Sequence, residues 1–282
     1  MEKIGLYVNT EKVNDMDYIK KIIQYLLEKK KTVITCENIS QFSNQKGLVI
    51  DRKKTFQETD LLVVLGGDGT ILEATSRLKN LQIPIMGVNY GKLGFLAEIE
   101  GQDIFDAFEK VFQGEYAIEK RMMLDMQLEG QTQVYSALND VVIGRGTNTR
   151  LVDIEVNANG SQVESYRADG LILSTPTGST AYSLSAGGPI IDPSNDNILM
   201  ATPICPHSLH SRSIILDANK EIEVRLVSEN SPGVVAVDGQ KFISIKGNEV
   251  IRIQKSKRQC QLIKFVDSNF FQTLRRKLST RV

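Results

Sequence analysis

A chain of 282 residues has room for roughly two domains at ordinary domain size. Its 34 lysines and arginines balance 34 aspartates and glutamates, which removes the bulk positive field a nucleic-acid binder would use to hold phosphates. At 41% hydrophobic and 24% charged, the composition is that of a globular protein and not of a disordered or fibrous one. Cys36, Cys205 and Cys260 are an odd number of cysteines far apart, so no disulfide framework is expected and a reducing compartment is. Met1 leads into Glu-Lys-Ile-Gly-Leu without the basic start and apolar stretch of a secretory signal. No aliphatic run approaches the ~18 residues of a membrane span. The expectation is a soluble, cytoplasmic protein with neither membrane nor nucleic acid as partner.

The predicted elements begin with a short apolar strand, Ile4 to Val8. From Asp15 to Lys30, the apolar residues Met16, Ile19, Ile22, Ile23, Leu26 and Leu27 recur at spacings of three and four, which predicts an amphipathic helix. Its end at Lys29-Lys30-Lys31 suits positive charge. Thr32 to Cys36 is β-rich. Leu61-Leu62-Val63-Val64-Leu65 predicts a strand buried on both faces, and Ile83 to Val88 another. Asp103 to Phe112 predicts a helix closed by Gly114, with Phe105, Phe108 and Phe112 facing core. Strands alternating with helices predict a parallel, Rossmann-like α/β domain over residues 1–118.

Beyond residue 118 the apolar period changes to two. Met122, Leu124, Met126 and Leu128 alternate with polar or flexible neighbours, as do Val152, Ile154 and Val156, then Ile222, Val224 and Leu226. Asn159-Gly160 is a two-residue hairpin signal, and Gly247-Asn248 marks a turn before Ile251-Arg252-Ile253. A β-rich second domain over 119–264 follows. Ser268 to Leu278 returns to helical spacing through Phe270, Phe271, Leu274 and Leu278, and this tail, from about 265 to 282, is expected to pack back on the first domain.

Three segments carry chemistry. Gly66-Gly67-Asp68-Gly69-Thr70 follows the buried strand and precedes a helix-forming stretch in which Thr70 and Glu73 have capping-box spacing. Small residues at a helix N-terminus let a phosphate approach backbone N–H groups, which makes Gly66, Gly67, Gly69 and Thr70 candidate phosphate binders. The segment is neither a P-loop nor the dinucleotide fingerprint. Asp68 is either a turn residue or a carboxylate with a proton or metal to manage, and the cap expected at Thr70 weighs toward the second. Asp169 to Pro189 leads from a β-rich run into a stretch dense in hydroxyls and glycines with one Tyr. Such a stretch suits a purine or ribose, and otherwise forms a polar surface loop. Asn139-Asp140 interrupts strand-like flanks, either as a turn or as a pair able to grip a vicinal diol.

Taken together, and with Gly87-Val88-Asn89-Tyr90-Gly91-Lys92-Leu93-Gly94-Phe95-Leu96 and Val237-Asp238-Gly239-Gln240, these segments resemble the bacterial NAD kinase family, in the family's order and over most of the chain. The glycine turn is shared with phosphofructokinases and diacylglycerol-type lipid kinases. The Thr-Pro-Thr-Gly-Ser-Thr-Ala-Tyr-Ser-Leu-Ser run is far more specific. The resemblance implies a phosphofructokinase-like first domain and phosphoryl transfer to the 2′-hydroxyl of the adenosine ribose of NAD, giving NADP. It also implies ATP or polyphosphate as donor, a divalent metal such as Mg²⁺, and a homo-oligomer, a dimer or a tetramer. By this resemblance Asp68 is the proton acceptor, with Gly69 and Phe95 beside the dinucleotide. Asn139 and Asp140 hold the ribose and phosphate region, and Asp169 meets the nicotinamide carboxamide. Thr177, Thr180, Ala181, Tyr182, Ser183, Leu184 and Ser185 line the base pockets, and Arg150, Arg167 and Gln240 stand near the dinucleotide. The family often has Glu where Asp140 stands. No protein metal ligand is assigned, because Mg²⁺ prefers phosphate oxygens and water.

Other signals are bland. Cys205, His207 and His210 form C-x-H-x-x-H without a fourth ligand for zinc, so turn and core packing are expected there. Arg275-Arg276-Lys277 reads as a solvated helix face. The alternatives to a kinase of NAD are a non-catalytic NAD(P)-binding sensor and a diacylglycerol-type lipid kinase. The sensor has no need of Asp68, and the lipid kinase none of the Thr177 to Ser185 run. Donor preference, acceptance of NADH, subunit number and allosteric control are not legible in the sequence.

Overall fold

The computed structural model describes residues 1–36, 39, 45–78, 82–91, 94–146, 150–227, 232–265 and 269–279. The chain forms two compact units. One comprises Met1–Lys120 and the segment from Cys260 onward, and the other comprises Arg121–Gln259.

The first unit is built on parallel strands β1 (Lys3–Val8), β2 (Thr32–Thr35), β3 (Leu48–Ile50), β4 (Leu61–Gly66) and β5 (Ile85–Asn89), in the order β3-β2-β1-β4-β5. Parallel strands need crossovers, and helices α1 (Met16–Glu28), α2 (Arg52–Thr55) and α3 (Asp68–Arg77) lie in them. β4 is buried along its whole length, as its unbroken aliphatic sequence requires. α1 buries Ile19, Ile22, Ile23 and Leu26, and Asp15 caps it by accepting from the Tyr18 N–H at 2.9 Å. A two-residue strand β6 (Ile99–Glu100) leads into α4 (Ile104–Gln113), closed by Gly114. From β1 the chain winds out through β2 and β3, then returns to β4 on the other side of β1. Strand order therefore reverses between the carboxyl ends of β1 and β4. In open α/β sheets that crevice is where ligands bind.

The second unit stacks two antiparallel layers. β7 (Ala117–Leu128) enters it and pairs with β8 (Val134–Ala137); β9 (Asp140–Gly144), β10 (Val152–Ala158), β11 (Ser161–Ala168) and β12 (Gly170–Ser174) follow. After the short helix α5 (Tyr182–Ser185) come β13 (Ile198–Ile204), β14 (Ile214–Asp217), β15 (Ile222–Leu226), β16 (Gly233–Val237), β17 (Lys241–Ile245) and β18 (Val250–Lys264). One layer runs β11-β10-β15-β18, with β7 beside β18. The other runs β14-β13-β12-β9-β16-β17. Alternate residues of both layers, among them Leu124, Ile154, Val224, Ile143, Leu173 and Val235, meet in one core. Asn159 and Gly160 have φ of +48° and +76°, the left-handed pair that the predicted two-residue hairpin demands.

The end of β18 belongs to the first unit, where Leu262 pairs parallel with Ile85. Helix α6 (Phe270–Ser279) follows, and the tail packs back on the first unit as predicted: the Phe270 ring stands 6.0 Å from that of Phe95. Ser268, the expected start of this helix, lies outside the described residues. Arg275-Arg276-Lys277 is not a purely solvated face, because Lys277 lies 4.2 Å over the Phe95 ring and Arg276 pairs with Glu100 at 3.5 Å. The long stems of these side chains cover the aromatic residues that anchor the tail. Lys29 pairs with Glu109, so that basic run is also partly engaged.

Candidate functional site

Each unit presents its own group of candidate residues. In the first, Gly66 ends β4 and the turn opens α3 at the strand-order reversal. Helix α3 starts three residues earlier than the capping-box spacing suggests: Gly67 is the N-cap and Asp68 the first helical residue. Thr70 is therefore not the cap. It sits in the first turn, where its Oγ1 accepts from the Gly67 N–H at 3.4 Å and from Asn9 Nδ2 at 3.3 Å. Glu73 pairs with Arg77 instead of reaching back to a cap. Thr70 thus serves the turn from the third helical position, and Gly66 leaves it room, since a Cβ there would lie 2.3 Å from Thr70 Oγ1.

Nor is the Asp68 carboxylate unpartnered. Oδ2 accepts from the Phe95 N–H at 2.8 Å, and Oδ1 accepts from Leu96 at 3.0 Å and Ala97 at 3.1 Å. A carboxylate offers about four lone-pair positions, so one on Oδ2 remains to meet a substrate hydroxyl. Its place in the first turn of α3 also suits negative charge. Gly94 makes the approach possible, since a Cβ there would lie 2.0 Å from Asp68 Oδ1. Lys92 and Leu93, part of the same family-like segment, lie outside the described residues.

Two residues escaped the sequence reading. Asn9, directly after β1, accepts from the Glu11 and Lys12 N–H groups through Oδ1 at 3.1 and 3.3 Å, which folds that loop toward the glycine turn. The exposed Lys12 ammonium lies 3.5 Å from the point where a Cβ on Gly67 would stand. It is a cation beside the glycine turn. Only the pairing of β1 with β4 brings it there, across more than fifty residues of chain.

In the second unit Asn139 and Asp140 lie where β8 gives way to the central strand β9. Asp140 is 5% exposed, and burial first, then the charge of Asp238, pushes its carboxyl up to about 7. The hydroxyl-rich run, expected to be too polar for core, is largely interior: Ser174, Thr175, Thr177, Ser179 and Ser183 are buried. Hydrogen bonds make this possible for Thr175, Ser179 and Ser183, while the buried Ser174 hydroxyl has no partner among the described residues. Ser179 bonds both the N–H and the carbonyl of Ile191, and Ser183 bonds Thr202 at 3.1 Å. Arg121, also buried, donates to Thr177 Oγ1 at 3.3 Å. The surface of the run is left to Thr180, Ala181, Tyr182, Leu184 and Ser185, with Tyr182 47% exposed. Asp169 pairs with Arg145 at 3.2 Å, Arg150 and Arg167 are exposed, and Gln240 is half-buried in the β16–β17 hairpin.

Cys205, His207 and His210 are exposed in the turn after β13 and not in core, because Cys205 adopts a left-handed φ of +45° that throws the turn outward. Among the described residues no group of three His, Cys, Asp or Glu side chains is arranged to hold a metal ion. None of their helices is long and apolar enough to cross a membrane.

A strand-order reversal carrying a glycine turn and its carboxylate in one unit, and a hydroxyl-rich run in an antiparallel second unit, define a nucleotide-handling α/β protein of the kinase type. Residues 4–116 match the model of the ATP-NAD kinase N-terminal domain and residues 138–265 that of the ATP-NAD kinase C-terminal domain. The chain is 40% identical over 284 residues to the NAD kinase of Caldanaerobacter subterraneus subsp. tengcongensis, covering 100% of both. It is 42% identical over 283 residues to that of Clostridium botulinum strain Kyoto, covering 100% of this chain and 98% of the other. Among solved structures, yeast NADH kinase complexed with NADH superposes with a TM-score of 0.89 at 25% identity, over 99% of this chain and 88% of that one. An NAD kinase from Archaeoglobus fulgidus in complex with ATP gives 0.78 at 25% identity, over 98% of each. The chain belongs to the NAD kinase family, whose activity is the phosphorylation of NAD to NADP with ATP.

Proposed function

We propose that the chain transfers the terminal phosphoryl group of ATP to the 2′-hydroxyl of the adenosine ribose of NAD, with Asp68 as the general base. The observation that carries this reading is the position of Asp68: first turn of α3, at the strand-order reversal, with one lone pair of Oδ2 left over from its three backbone bonds. A ribose hydroxyl is a weak nucleophile at neutral pH, and a carboxylate within hydrogen-bond reach takes its proton as the bond from the hydroxyl oxygen to the terminal phosphorus forms and the bond from that phosphorus to the ADP oxygen breaks, ADP leaving. The three N–H donors fix the carboxylate's direction, so little reorganisation accompanies the transfer.

The remaining catalysis is positioning and charge neutralisation. Gly66, Gly67, Gly69 and Thr70 present backbone and helix N-terminus to the donor phosphates, and Lys12 supplies a cation. Asn139 and Asp140 hold the ribose region, and Phe95, Asp169, Arg150, Arg167 and Gln240 hold other parts of the dinucleotide. Thr180, Ala181, Tyr182, Leu184 and Ser185 meet the bases, and the buried Thr177 and Ser183 shape the surface that does so. Mg²⁺ would fit this donor set as a companion of the nucleotide: the described residues of the turn offer one carboxylate, and phosphate oxygens and water would supply its other ligands. When bound it neutralises charge on the transferring group.

The decisive experiment is a matrix of ATP, GTP and polyphosphate against NAD, NADH and diacylglycerol, run with the native chain and with Asp68→Asn. Asp68→Asn is expected to lower kcat by roughly 10² or more. Because the amide also sets an N–H₂ against one of the three backbone donors, Tm and the Kd for NAD are measured alongside. A kcat loss with both unchanged supports the base. Near-native turnover refutes it.

The chain is further proposed to act as a homo-oligomer in the cytoplasm. Phe242 on β17 and Ile215 on β14 are exposed on the edge strands of their layer, and Leu209 is exposed beside β14, which supports self-association. The absence of a disulfide among three free cysteines supports a reducing compartment. Sedimentation at micromolar concentration checks the first point.

A further inference from the structure

In the second unit β9 is flanked by β12 on one side and β16 on the other, both antiparallel to it. The start of β9 therefore lies beside the ends of both neighbours, and residues 138–140 are reached from two sides. From the β12 side, Thr175 donates its N–H to the Asn139 carbonyl at 2.9 Å and its Oγ1 to the Leu138 carbonyl at 2.6 Å. The same Oγ1 accepts from the Gly178 N–H at 3.1 Å. A Cβ on Gly178 would fall 2.1 Å from the Asn139 carbonyl oxygen, so the hydroxyl-rich run lies directly on this turn.

From the β16 side comes Asp238. Its Oδ2 accepts from the Leu138 N–H at 2.8 Å, and its Oδ1 accepts from Asn139 at 2.8 Å and Asp140 at 3.1 Å. Its own N–H donates to the Asp140 carbonyl at 3.0 Å. Three consecutive amides converge on one carboxylate, which fixes the direction of the backbone through both residues. Asp238 holds a left-handed φ of +51° to do so. That conformation is unfavourable for most non-glycine residues, and it persists where the surroundings over-determine it.

We propose that Asp238 is a positioning residue for the dinucleotide: its carboxylate sets the backbone of residues 138–140 and thereby aims the Asn139 and Asp140 side chains at NAD. This rests on the reading of Asn139 and Asp140 as NAD-holding residues. Asp238 itself need not touch the substrate. Thr175 is the opposite jaw of the same clamp. The raised carboxyl of Asp140 agrees with the arrangement: burial raises it first and the nearby Asp238 raises it further, while burial also raises Asp238 itself against the lowering pull of its three N–H donors.

The test is steady-state kinetics on the full chain with Asp238→Asn, Asn139→Ala and the double variant, varying NAD and ATP separately. The amide keeps one acceptor oxygen and turns an N–H₂ toward a backbone donor. The KM for NAD is expected to rise about tenfold or more, with the KM for ATP unchanged and Tm little altered. In the double variant the loss is expected to fall well short of the product of the two single losses, because the side chain that Asp238 aims has gone. A KM for NAD unchanged in Asp238→Asn but raised in Asn139→Ala overturns the positioning role and leaves the NAD-holding role of Asn139 standing. No change in either variant overturns both. Multiplying losses, or equal losses toward NAD and ATP, also overturn it. Should Asp238→Asn fail to fold, Thr175→Val set against Thr175→Ser decides the matter by the same KM for NAD, with Thr175→Ser near native.

Discussion

Replacing Asp140 with Asn should make the folded protein more stable while weakening it as an enzyme. Asp140 opens β9, is 5% exposed, and has its carboxyl raised from 3.8 to about 7, by burial first and by Asp238 second. Between pH 4 and 7 the folded chain keeps a proton that the unfolded chain has already lost. Stability from this group is therefore full below pH 4 and is lost as pH rises through 7. At about 1.4 kcal/mol per pH unit, the ionised side chain costs the fold at most ~4 kcal/mol above neutrality. Asn is isosteric and does not titrate. Urea unfolding of both proteins from pH 4.5 to 8.5, taken as a difference, cancels carboxylates that do not interact with Asp140, including Asp60 and Asp217, which backbone N–H bonds hold below their ordinary range, and leaves Asp140 with its neighbour Asp238. The difference should grow from about 1 kcal/mol to a few kcal/mol in favour of Asp140→Asn, with Tm at pH 8 higher by roughly 8–16 °C. The KM for NAD should rise in the same variant. A difference in stability that stays flat across pH refutes the reasoning, because it means Asp140 gains no proton preference on folding.

Gly94→Ala should lower kcat about as far as Asp68→Asn, since its Cβ would stand 2.0 Å from Asp68 Oδ1; turnover and a thermal melt show whether the carboxylate is displaced without unfolding. Lys12→Ala should raise the KM for ATP severalfold and leave that for NAD alone, and unequal effects in the opposite sense would discard its phosphate role. Tyr182→Ala removes a 47% exposed ring, so stability should change by less than about 0.5 kcal/mol while calorimetry shows weaker NAD binding. An unchanged Kd would remove Tyr182 from the dinucleotide surface.

The hydroxyl-rich run shows where sequence reading stops. Its density of Ser and Thr suggested a surface that grips a ligand, yet Thr175, Ser179 and Ser183 are interior, each spent on a backbone or hydroxyl partner. Residue type gives the number of donors and acceptors but not which of them the fold consumes. Asp68 teaches the same lesson, because its partners Phe95, Leu96 and Ala97 come from a loop nearly thirty residues away.

What the chain's order of residues determined unaided was mostly local, the start of α3 excepted. The unbroken aliphatic β4, the three-and-four spacing of α1, the Asn159-Gly160 hairpin and the change of period after residue 118 follow from backbone geometry and from which face meets water. The family resemblance, too, was legible in linear motifs. Tertiary structure alone decided that β1 and β4 lie side by side, so that Asn9 and Lys12 reach the glycine turn, and that β9 runs between β12 and β16, so that Asp238 and Thr175 close on residues 138–140. Those encounters depend on strand pairing between distant segments. A local pattern cannot encode them, because the hydrogen bonds that create them belong to two parts of the chain at once.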